Sequence, residues 1–222
     1  MIINVAIDGP SGAGKSTVAR AAAQKLGYIY VDTGALYRTV GLNAIRKGFA
    51  TDNADEVMKS LEGITVELKF SDGAQRVVLN GEDVSDYIRT PEVSMAASNV
   101  SAVPGVRAFL FDLQRDIAKN NSCIMDGRDI GTVVLPDAEV KIFLTASAEI
   151  RAKRRYDELI AKGSDVEYKD VYEDLIKRDY NDSHRETAPL KPAEDSVFID
   201  SSDFDFEQTV EKVISVIEEK TK

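Results

Sequence analysis

The stretch GPSGAGKST at residues 9–17 contains the complete spacing GxxxxGK[ST]. The apolar run INVAI at 3–7 precedes it and predicts a buried strand, and residues 17–26 are rich in helix-forming side chains. A strand, a glycine-rich loop and a helix form the context in which this spacing binds phosphate. Its glycines let successive N–H groups turn toward an anion at the helix N-terminus, so the stretch predicts a nucleoside triphosphate site.

Lys15 and Ser16 are the side chains of this loop that carry chemistry. In a phosphate-binding loop the lysine reaches the β- and γ-phosphates, and the serine hydroxyl binds Mg²⁺. The alternative is a glycine-rich turn with a solvated lysine, which the flanking strand and helix patterns disfavour. What happens to the triphosphate is left open by the loop alone.

Composition indicates an ordinary globular chain and disfavours several classes of function. The formal net charge of the 222 residues is −10, which argues against a nucleic-acid partner held on a basic face. The single cysteine, Cys123, excludes an internal disulfide and is interpreted as a small buried hydrophobe. The single histidine, His184, is expected to be solvated, and it leaves little for a zinc cluster or a Ser-His-Asp triad.

Nothing in the sequence predicts a membrane segment. No run approaches the ~20 apolar residues of a membrane span, and no leader pattern opens the sequence. The predicted helices keep no large apolar face after packing the core. The expectation is therefore a cytoplasmic monomer without a membrane or nucleic-acid partner.

Five short apolar runs predict core strands, at 4–7, 28–31, 123–125, 140–144 and 196–199, with helical patterns between them. This alternation predicts an α/β fold with a parallel sheet covered by helices on both faces. Aspartates directly follow four of the runs: Asp8, Asp32, Asp126 and Asp200. Ligands of such sheets bind beyond the carboxyl ends of the strands, so we expect some of these carboxylates to rim one crevice. Asp200 is interpreted as a turn former.

The region from about 51 to 89 has a different pattern. Strict alternation at 64–70, a turn at 71–74, an apolar run at 76–79, the hairpin signal Asn80-Gly81 and a short piece at 82–84 predict an inserted antiparallel module. Helices are predicted at 106–120 after Pro104, at 148–162 after the N-cap Ser147, at about 170–184 and at 206–220.

Two segments concentrate arginine on predicted helices. Arg151, Arg154 and Arg155 stand at i, i+3 and i+4, which is one helix face. A second face carries Arg178, Asp182 and Arg185 at i, i+4 and i+7. Each could be a solvated charged face, but two such segments downstream of a nucleotide loop favour phosphate binding, for which the planar guanidinium is suited.

Four stretches together resemble bacterial cytidylate kinases, of the nucleoside monophosphate kinase group: GPSGAGKST, DTGALYR at 32–38, MDGRDIGTVVLPDA at 125–138 and KRDYNDSHR at 177–185. The resemblance covers the whole chain. It implies a single P-loop kinase domain at 1–222 with a five-stranded parallel sheet, a monophosphate-binding insert at 36–100 (β module about 64–84) and a helical lid at 148–187. It also implies Mg²⁺-assisted phosphorylation of CMP and dCMP by ATP, in pyrimidine nucleotide metabolism.

The resemblance also implies roles for individual residues. The ATP phosphates would lie on Gly9, Pro10, Ser11, Gly12, Ala13, Gly14, Lys15, Ser16 and Thr17, with Mg²⁺ on Ser16 and waters. CMP would contact Thr33, Tyr37, Arg38, Ser98, Arg107, Arg128, Asp129, Arg178, Asp182 and Arg185. The lid arginines would be Arg151, Arg154 and Arg155, and the catalytic set would be Lys15, Arg128, Arg178, Arg151 and Arg155. Thr33 departs from the serine of many members but keeps a hydroxyl.

Base reading is assigned by the resemblance to Ser98, Arg107 and Asp129. Cytosine offers an N4 amino donor beside an N3 acceptor, and uracil reverses that order. An aspartate accepting from N4 and an arginine donating to N3 or O2 would therefore read cytosine. The alternative for Asp129 is a plain ion pair with its neighbour Arg128.

Three rival functions share the phosphate-binding loop. The first is a kinase for another acceptor, such as UMP, AMP or shikimate, which would need different base-reading residues. The second is a P-loop switch protein, which would not need an arginine lid, and the guanine-reading motif NKxD is absent from the sequence. The third is a catalytically inactive binder, against which the intact Lys15, Ser16 and arginine set argue.

Overall fold

The computed structural model describes residues 2–71 and 74–222, and the chain divides into two compact units. Met1–Tyr30 and Asn121–Lys222 form the first, here called the core unit, and Val31–Asn120 form the second, the insert unit. The predicted module at 36–100 lies within the insert unit. The turn predicted at 71–74 contains Asp72 and Gly73, which lie outside the described residues.

The described residues form eight strands, eight α-helices and one π-helical turn. The strands are β1 (Asn4–Asp8), β2 (Ile29–Asp32), β3 (Val66–Ser71), β4 (Ala74–Leu79), β5 (Glu82–Asp83), β6 (Cys123–Gly127), β7 (Val140–Thr145) and β8 (Val197–Asp200). The helices are α1 (Lys15–Leu26), α2 (Thr33–Arg46), α3 (Ala54–Ser60), α4 (Pro91–Ser101), α5 (Pro104–Asn120), α6 (Ala148–Ala161), α7 (Tyr168–His184) and α8 (Phe206–Thr221). The π-helical turn spans Ile130–Val134.

The five predicted core strands form one sheet in the order β2-β6-β1-β7-β8. β1 lies centrally and pairs in parallel with β6 and with β7, and β7 pairs in parallel with β8. This topology confirms the predicted α/β fold class. In the register of β1 and β6, Ile7 lies beside Asp126 and Asp8 lies beside Gly127. The carboxyl ends of β1 and β6 therefore present their aspartates at the same edge of the sheet.

The hydrophobic core of this unit lies between the sheet and its helices. α1 and α8 pack against each other, and α8 also packs on β7. Val5, Ile7, Ile142 and Val213 are buried in one cluster. Cys123 is completely buried, as expected from the sequence, and burial raises the pKa of its thiol to about 12. Among the helices of the described residues, none combines the length and the apolarity needed to cross a bilayer.

The insert unit has its own core around a three-stranded sheet of order β3-β4-β5. The strands pair antiparallel as predicted, and Asn80 (φ 50°) and Gly81 (φ 84°) occupy the two left-handed positions that a type I′ hairpin turn needs. Helices α2, α3 and α4 were not predicted. α2 packs on α4 so closely that a Cβ on Gly41 would lie 2.9 Å from Cβ of Ala96. Small residues make this contact, and they weaken the apolar periodicity that marks a helix.

Candidate active site

The loop between β1 and α1 has the backbone of a phosphate-binding loop. Gly9 has φ 152°, and a Cβ there would lie 2.0 Å from the backbone oxygen of Leu144. Gly14 is the N-cap of α1, in the left-handed region at φ 82°. Only glycine fits the first position, and left-handed geometry favours it at the second. The loop therefore leads directly into a helix N-terminus, where backbone N–H groups favour anions.

Lys15 lies folded over its own loop. Its side chain is buried, and Nζ donates a hydrogen bond of 2.7 Å to the backbone oxygen of Pro10. Burial, and after it the charge of Arg128, lowers the pKa of Lys15 well below its ordinary value. A triphosphate in the loop would add negative charge beside the buried ammonium and so favour its charged form. The lysine is thus poised to gain more from an anionic ligand than a solvated lysine would.

Ser16, in the first turn of α1, and Asp126, near the end of β6, place a hydroxyl and a carboxylate side by side. Ser16 Oγ donates to Asp126 Oδ2 at 2.8 Å, and Tyr30 Oη donates to Asp126 Oδ1 at 2.9 Å. Within the described part of the chain no three His, Cys, Asp or Glu side chains form a metal cage. A hydroxyl beside one carboxylate fits Mg²⁺, which keeps waters and binds substrate phosphates in preference to an all-protein site. From the sequence, Asp126 was predicted only as one of four strand-end carboxylates, some of which were expected to rim one crevice, and it had no assigned role.

Asp8, at the end of β1, accepts hydrogen bonds from two backbone N–H groups. Oδ1 accepts from Ile130 at 2.8 Å and Oδ2 from Gly131 at 2.7 Å. Burial raises the pKa of the Asp8 carboxyl to about 7, although both N–H groups and the charge of Lys15 act to lower it. Asp8 belongs to the same predicted set of strand-end carboxylates and had no assigned role either. The third strand-end aspartate of this unit, Asp200, accepts from Ser202 N and Oγ in a local turn, as predicted.

The raised pKa of Asp8 predicts that this residue favours the folded state most at low pH. Its pKa is 3.8 when exposed and about 7 in the folded protein, so the folded state holds the proton more tightly. The contribution of Asp8 to the free energy of unfolding is fully present below its pKa in the unfolded state. It is lost as the pH rises through its pKa in the folded state, with a slope of up to about 1.4 kcal/mol per pH unit. The free energy of unfolding of wild type and of Asp8→Asn can be measured in urea from about pH 5 to about pH 8. The wild-type value minus the Asp8→Asn value should fall as the pH rises. A difference that stays flat or rises would contradict this.

Two ion pairs lie directly beyond β6 in the core unit. Arg128 Nε donates to Asp182 Oδ2 at 2.8 Å, and Arg185 donates through one terminal nitrogen to Asp129 Oδ1 at 3.1 Å. The Asp129 and Arg185 side chains are each 5% exposed. The ion pair of Asp129 is thus with Arg185, 56 residues away, and not the neighbour pair considered from the sequence.

Asp182, on α7, lies among three arginines: Arg178 of the same helix, Arg185 at its C-cap and Arg128 directly after β6. Burial would raise the pKa of its carboxyl, but the charges of Arg128, Arg178 and Arg185 hold it below the ordinary value. The structure therefore brings together the three residues predicted to share a helix face. Arg185, however, is not on the helix: α7 ends at His184, and Arg185 is the extended C-cap residue. His184 is exposed, as expected, and stacks on Tyr180 with ring centroids 4.0 Å apart.

The three arginines of α6 have different partners, although their spacing predicts one face. Arg151 is buried and donates to Ser11 O in the phosphate-binding loop at 2.9 Å, and it pairs with Asp179 at 2.6 Å. Arg154 donates to Ser201 O at 2.8 Å. Arg155 pairs with Glu158 at 2.8 Å on the surface of the helix. Of the three, Arg151 is the one already in contact with the loop.

The insert unit contains the other predicted nucleotide residues. Thr33 begins α2 and is buried, and Arg38 lies 3.6 Å from Asp32, whose side chain caps the same helix. The Arg107 guanidinium lies over the Tyr37 ring at 5.6 Å. Ser98, Arg107 and Tyr37 are each no more than 9% exposed. The unit thus holds the buried guanidinium of Arg107, on α5, against the aromatic ring of Tyr37, on α2.

Comparisons with known proteins agree on one family. The cytidylate kinase family model matches residues 5–219. The chain is 50% identical over 214 residues to the cytidylate kinase of Caldicellulosiruptor saccharolyticus, covering 96% of this chain and 95% of the relative. It is 46% identical to that of Carboxydothermus hydrogenoformans, covering 98% of each.

Among solved structures, shikimate kinase from Bacteroides thetaiotaomicron has a TM-score of 0.50 and 13% identity, covering 98% of this chain and 99% of that one. A likeness at this identity concerns the fold alone, and it agrees with the P-loop kinase architecture. The family match, in contrast, rests on near-complete coverage at about half identity. The chain therefore belongs to the cytidylate kinase family of phosphotransferases.

Proposed function

We propose that this protein transfers the γ-phosphoryl group of ATP to CMP, and also to dCMP, with the assistance of Mg²⁺. The observation that carries the proposal is the segment formed by the end of β6 and the residues directly after it. Asp126 accepts from Ser16 of the phosphate-binding loop, and Asp129, three residues on, belongs to a buried ion pair with Arg185. One short segment thus joins the triphosphate loop to a buried carboxylate that could read a base. The names of the relatives, cytidylate kinases, support the same acceptor.

On the donor side we assign the phosphates of ATP to residues 9–17. The loop N–H groups and Lys15 would hold the β- and γ-phosphates. Ser16 and Asp126 would hold Mg²⁺, which supplies charge neutralisation between the phosphates. Lys15 would leave Pro10 O and move its proton-bearing Nζ to a phosphoryl oxygen, where the charge of the transfer develops.

On the acceptor side we assign four residues to the acceptor's phosphate and ribose: Arg128, Arg178, Asp182 and Arg185. Asp182 would also hold the guanidinium groups in place. The carboxylate contact to Arg128 at 2.8 Å supports this positioning role. Arg151 and Arg155 are assigned to the transferring group and Arg154 to the lid. For Arg151 this requires exchange of Ser11 O and Asp179 for phosphoryl oxygens. No general base is needed, because the nucleophile is already a phosphate oxygen.

Base and monophosphate contacts complete the assignment. Asp129 in the core unit, and Ser98 and Arg107 in the insert unit, are assigned to cytosine. Thr33, Tyr37 and Arg38 are assigned to the remaining monophosphate contacts. The burial of Ser98, Arg107 and Asp129 supports a selective site, because an unmatched base would leave buried polar groups without partners.

The wider organisation is proposed on the same resemblance. We assign residues 36–100 to monophosphate binding and 148–187 to a lid that closes over the nucleotides and excludes water. The enzyme would act as a cytoplasmic monomer in pyrimidine nucleotide metabolism. The net charge of −10 supports the absence of a nucleic-acid partner.

An acceptor panel tests the function. ADP release is followed with ATP, Mg²⁺ and CMP, dCMP, UMP, AMP or GMP, with an acceptor-free reaction as the control. We expect kcat/KM for CMP and dCMP to exceed the others by about 10²-fold or more, little ATP hydrolysis without acceptor, and loss of turnover with EDTA. Equal turnover of UMP, or turnover of no nucleotide, would refute the proposal.

A further inference from the structure

Asp8 holds, from another strand, the turn that follows Asp129. Its carboxylate is only 4% exposed, and each of its two oxygens accepts from one N–H of the consecutive residues Ile130 and Gly131. The two bonds are 2.8 and 2.7 Å long. The turn after β6 is therefore attached to the end of the adjacent strand β1 through both oxygens of one side chain.

The turn needs this acceptor because its own first residue does not supply one. Asp129 is the N-cap of the π-helical turn, with φ −148° and ψ 27°, and its side chain makes no capping hydrogen bond. The first N–H groups of a helix have no partner within it, and an N-cap aspartate usually accepts from them. Asp8 takes over that task. The carboxylate of Asp129 is left to face Arg185.

The second donor is a glycine that lies beside Asp8 and the aliphatic part of Lys141. A Cβ on Gly131 would lie 3.4 Å from Asp8 Oδ2 and 3.2 Å from Cδ of Lys141. Burying a carboxylate here is costly, as the pKa of about 7 reflects, and a neutral side chain would avoid that cost. The two backbone donors and the charge of Lys15 offset part of this cost, and the two donors are the groups that attach the turn to β1.

We infer that Asp8 is a positioning residue for nucleobase selection: by capping the turn, it orients Asp129 to read the acceptor base. The inference rests on the proposed function, in which Asp129 contacts cytosine. Asp8 acts through the backbone of Ile130 and Gly131. Replacing Asp8 should therefore lower the selectivity for the acceptor base and leave the affinity for ATP nearly unchanged.

The test is the ratio of kcat/KM for CMP to that for UMP in Asp8→Asn. The asparagine has the same size, but it can accept with only one oxygen and turns an NH₂ group toward the other N–H. We expect the ratio to fall about 10- to 100-fold, with the dissociation constant of ATP within about twofold of wild type. Asp200→Asn is the matched control, because Asp200 also ends a parallel strand but caps only a local turn. It should leave the ratio unchanged.

A double variant separates positioning from general destabilisation. If Asp8 acts through Asp129, then Asp8→Asn should lower the ratio no further once Asp129→Ala is present. An additional fall in the double variant, or an unchanged ratio in Asp8→Asn, would overturn the inference. A wild-type enzyme with no preference for CMP would refute the proposed function itself, and the inference with it.

A second variant covers the case in which Asp8→Asn does not fold. Asp8→Glu keeps the charge and both oxygens but adds one methylene, which displaces the turn. The same fall in the CMP to UMP ratio is expected. A folded Asp8→Glu enzyme with the wild-type ratio would overturn the inference.

Discussion

Replacing Lys15 by alanine should lower kcat with CMP by about 10³-fold or more. The ammonium is the buried cation of the phosphate-binding loop, and it lies 2.7 Å from Pro10 O. In the reaction it would neutralise charge on the transferred phosphoryl group inside a site from which water is excluded, where such charges count most. The loop backbone stays intact in the variant, so ATP should still bind, more weakly.

The same substitution should not destabilise the fold through loss of the charge. Burial lowers the pKa of Lys15 well below its ordinary value, so the buried ammonium is a cost to the folded protein. Lys15→Met keeps most of the side-chain volume and removes only the charge. We expect its thermal midpoint to equal or exceed that of wild type while its kcat falls as far as that of Lys15→Ala.

Steady-state ADP release and thermal unfolding of the two variants measure both effects. Lys25→Ala is the matched control, because Lys25 is exposed in the last turn of the same helix. Its kcat should stay at the wild-type value. A kcat for Lys15→Met within about tenfold of wild type would contradict the catalytic assignment, and a lower midpoint for Lys15→Met would contradict the cost of burial.

Replacing Asp129 by alanine should abolish most of the discrimination between CMP and UMP. The carboxylate accepts from Arg185 at 3.1 Å in a pair that is almost completely buried. It would accept from the N4 amino group of cytosine, where uracil offers an oxygen that repels it. Sites of this kind discriminate by ~10⁴, so we expect the ratio of kcat/KM for CMP to that for UMP to fall by about 10²-fold or more.

Asp129→Asn sharpens the result, because its carboxamide keeps the size of the side chain and offers a donor. It should lower kcat/KM for CMP and raise that for UMP. Asp137→Asn, an exposed position in the same loop, is the control and should leave both values unchanged. Equal losses for CMP and UMP in Asp129→Asn would mean that Asp129 serves only its ion pair with Arg185.

Much of the core unit was predictable because its information is local. The five strands follow from apolar runs, and the helices α1, α6, α7 and α8 follow from helix-forming residues, apolar periodicity and end signals. The start of α6, for example, follows from Ser147, whose side chain accepts from Ile150 N. Helix α5, which belongs to the insert unit, was predictable in the same way. The hairpin at Asn80-Gly81 was predictable for the same reason, since two left-handed residues in succession require those types. Helix α2 was not, because the small residues by which it contacts α4 blur the apolar pattern.

The arginines illustrate the limit of spacing as a predictor. A spacing of i, i+3 and i+4 places three side chains on one side of a helix, but it does not say what each one reaches. In α6 one guanidinium contacts the phosphate-binding loop through Ser11, another contacts Ser201, and the third stays with Glu158 on its own helix. Long side chains can bind groups on other helices, strands and loops. The spacing of residues along one helix does not predict which of these groups a side chain contacts.

The phosphate-binding loop pattern of this protein, its α/β architecture and its resemblance to cytidylate kinases were all predictable from residue types alone. These depend on residue types at fixed short spacings, where backbone conformation follows from the residues themselves. Which strand-end aspartates lie beside that loop and the turn after β6 follows from the tertiary structure alone. Asp200 accepts only from its near neighbour Ser202 among the hydrogen bonds described above. Asp8 accepts from two N–H groups 122 and 123 residues away, and Asp126 accepts from a hydroxyl 110 residues away. Such partners meet only when parallel strands align their ends, because the pairing of strands is set by the packing of the whole sheet.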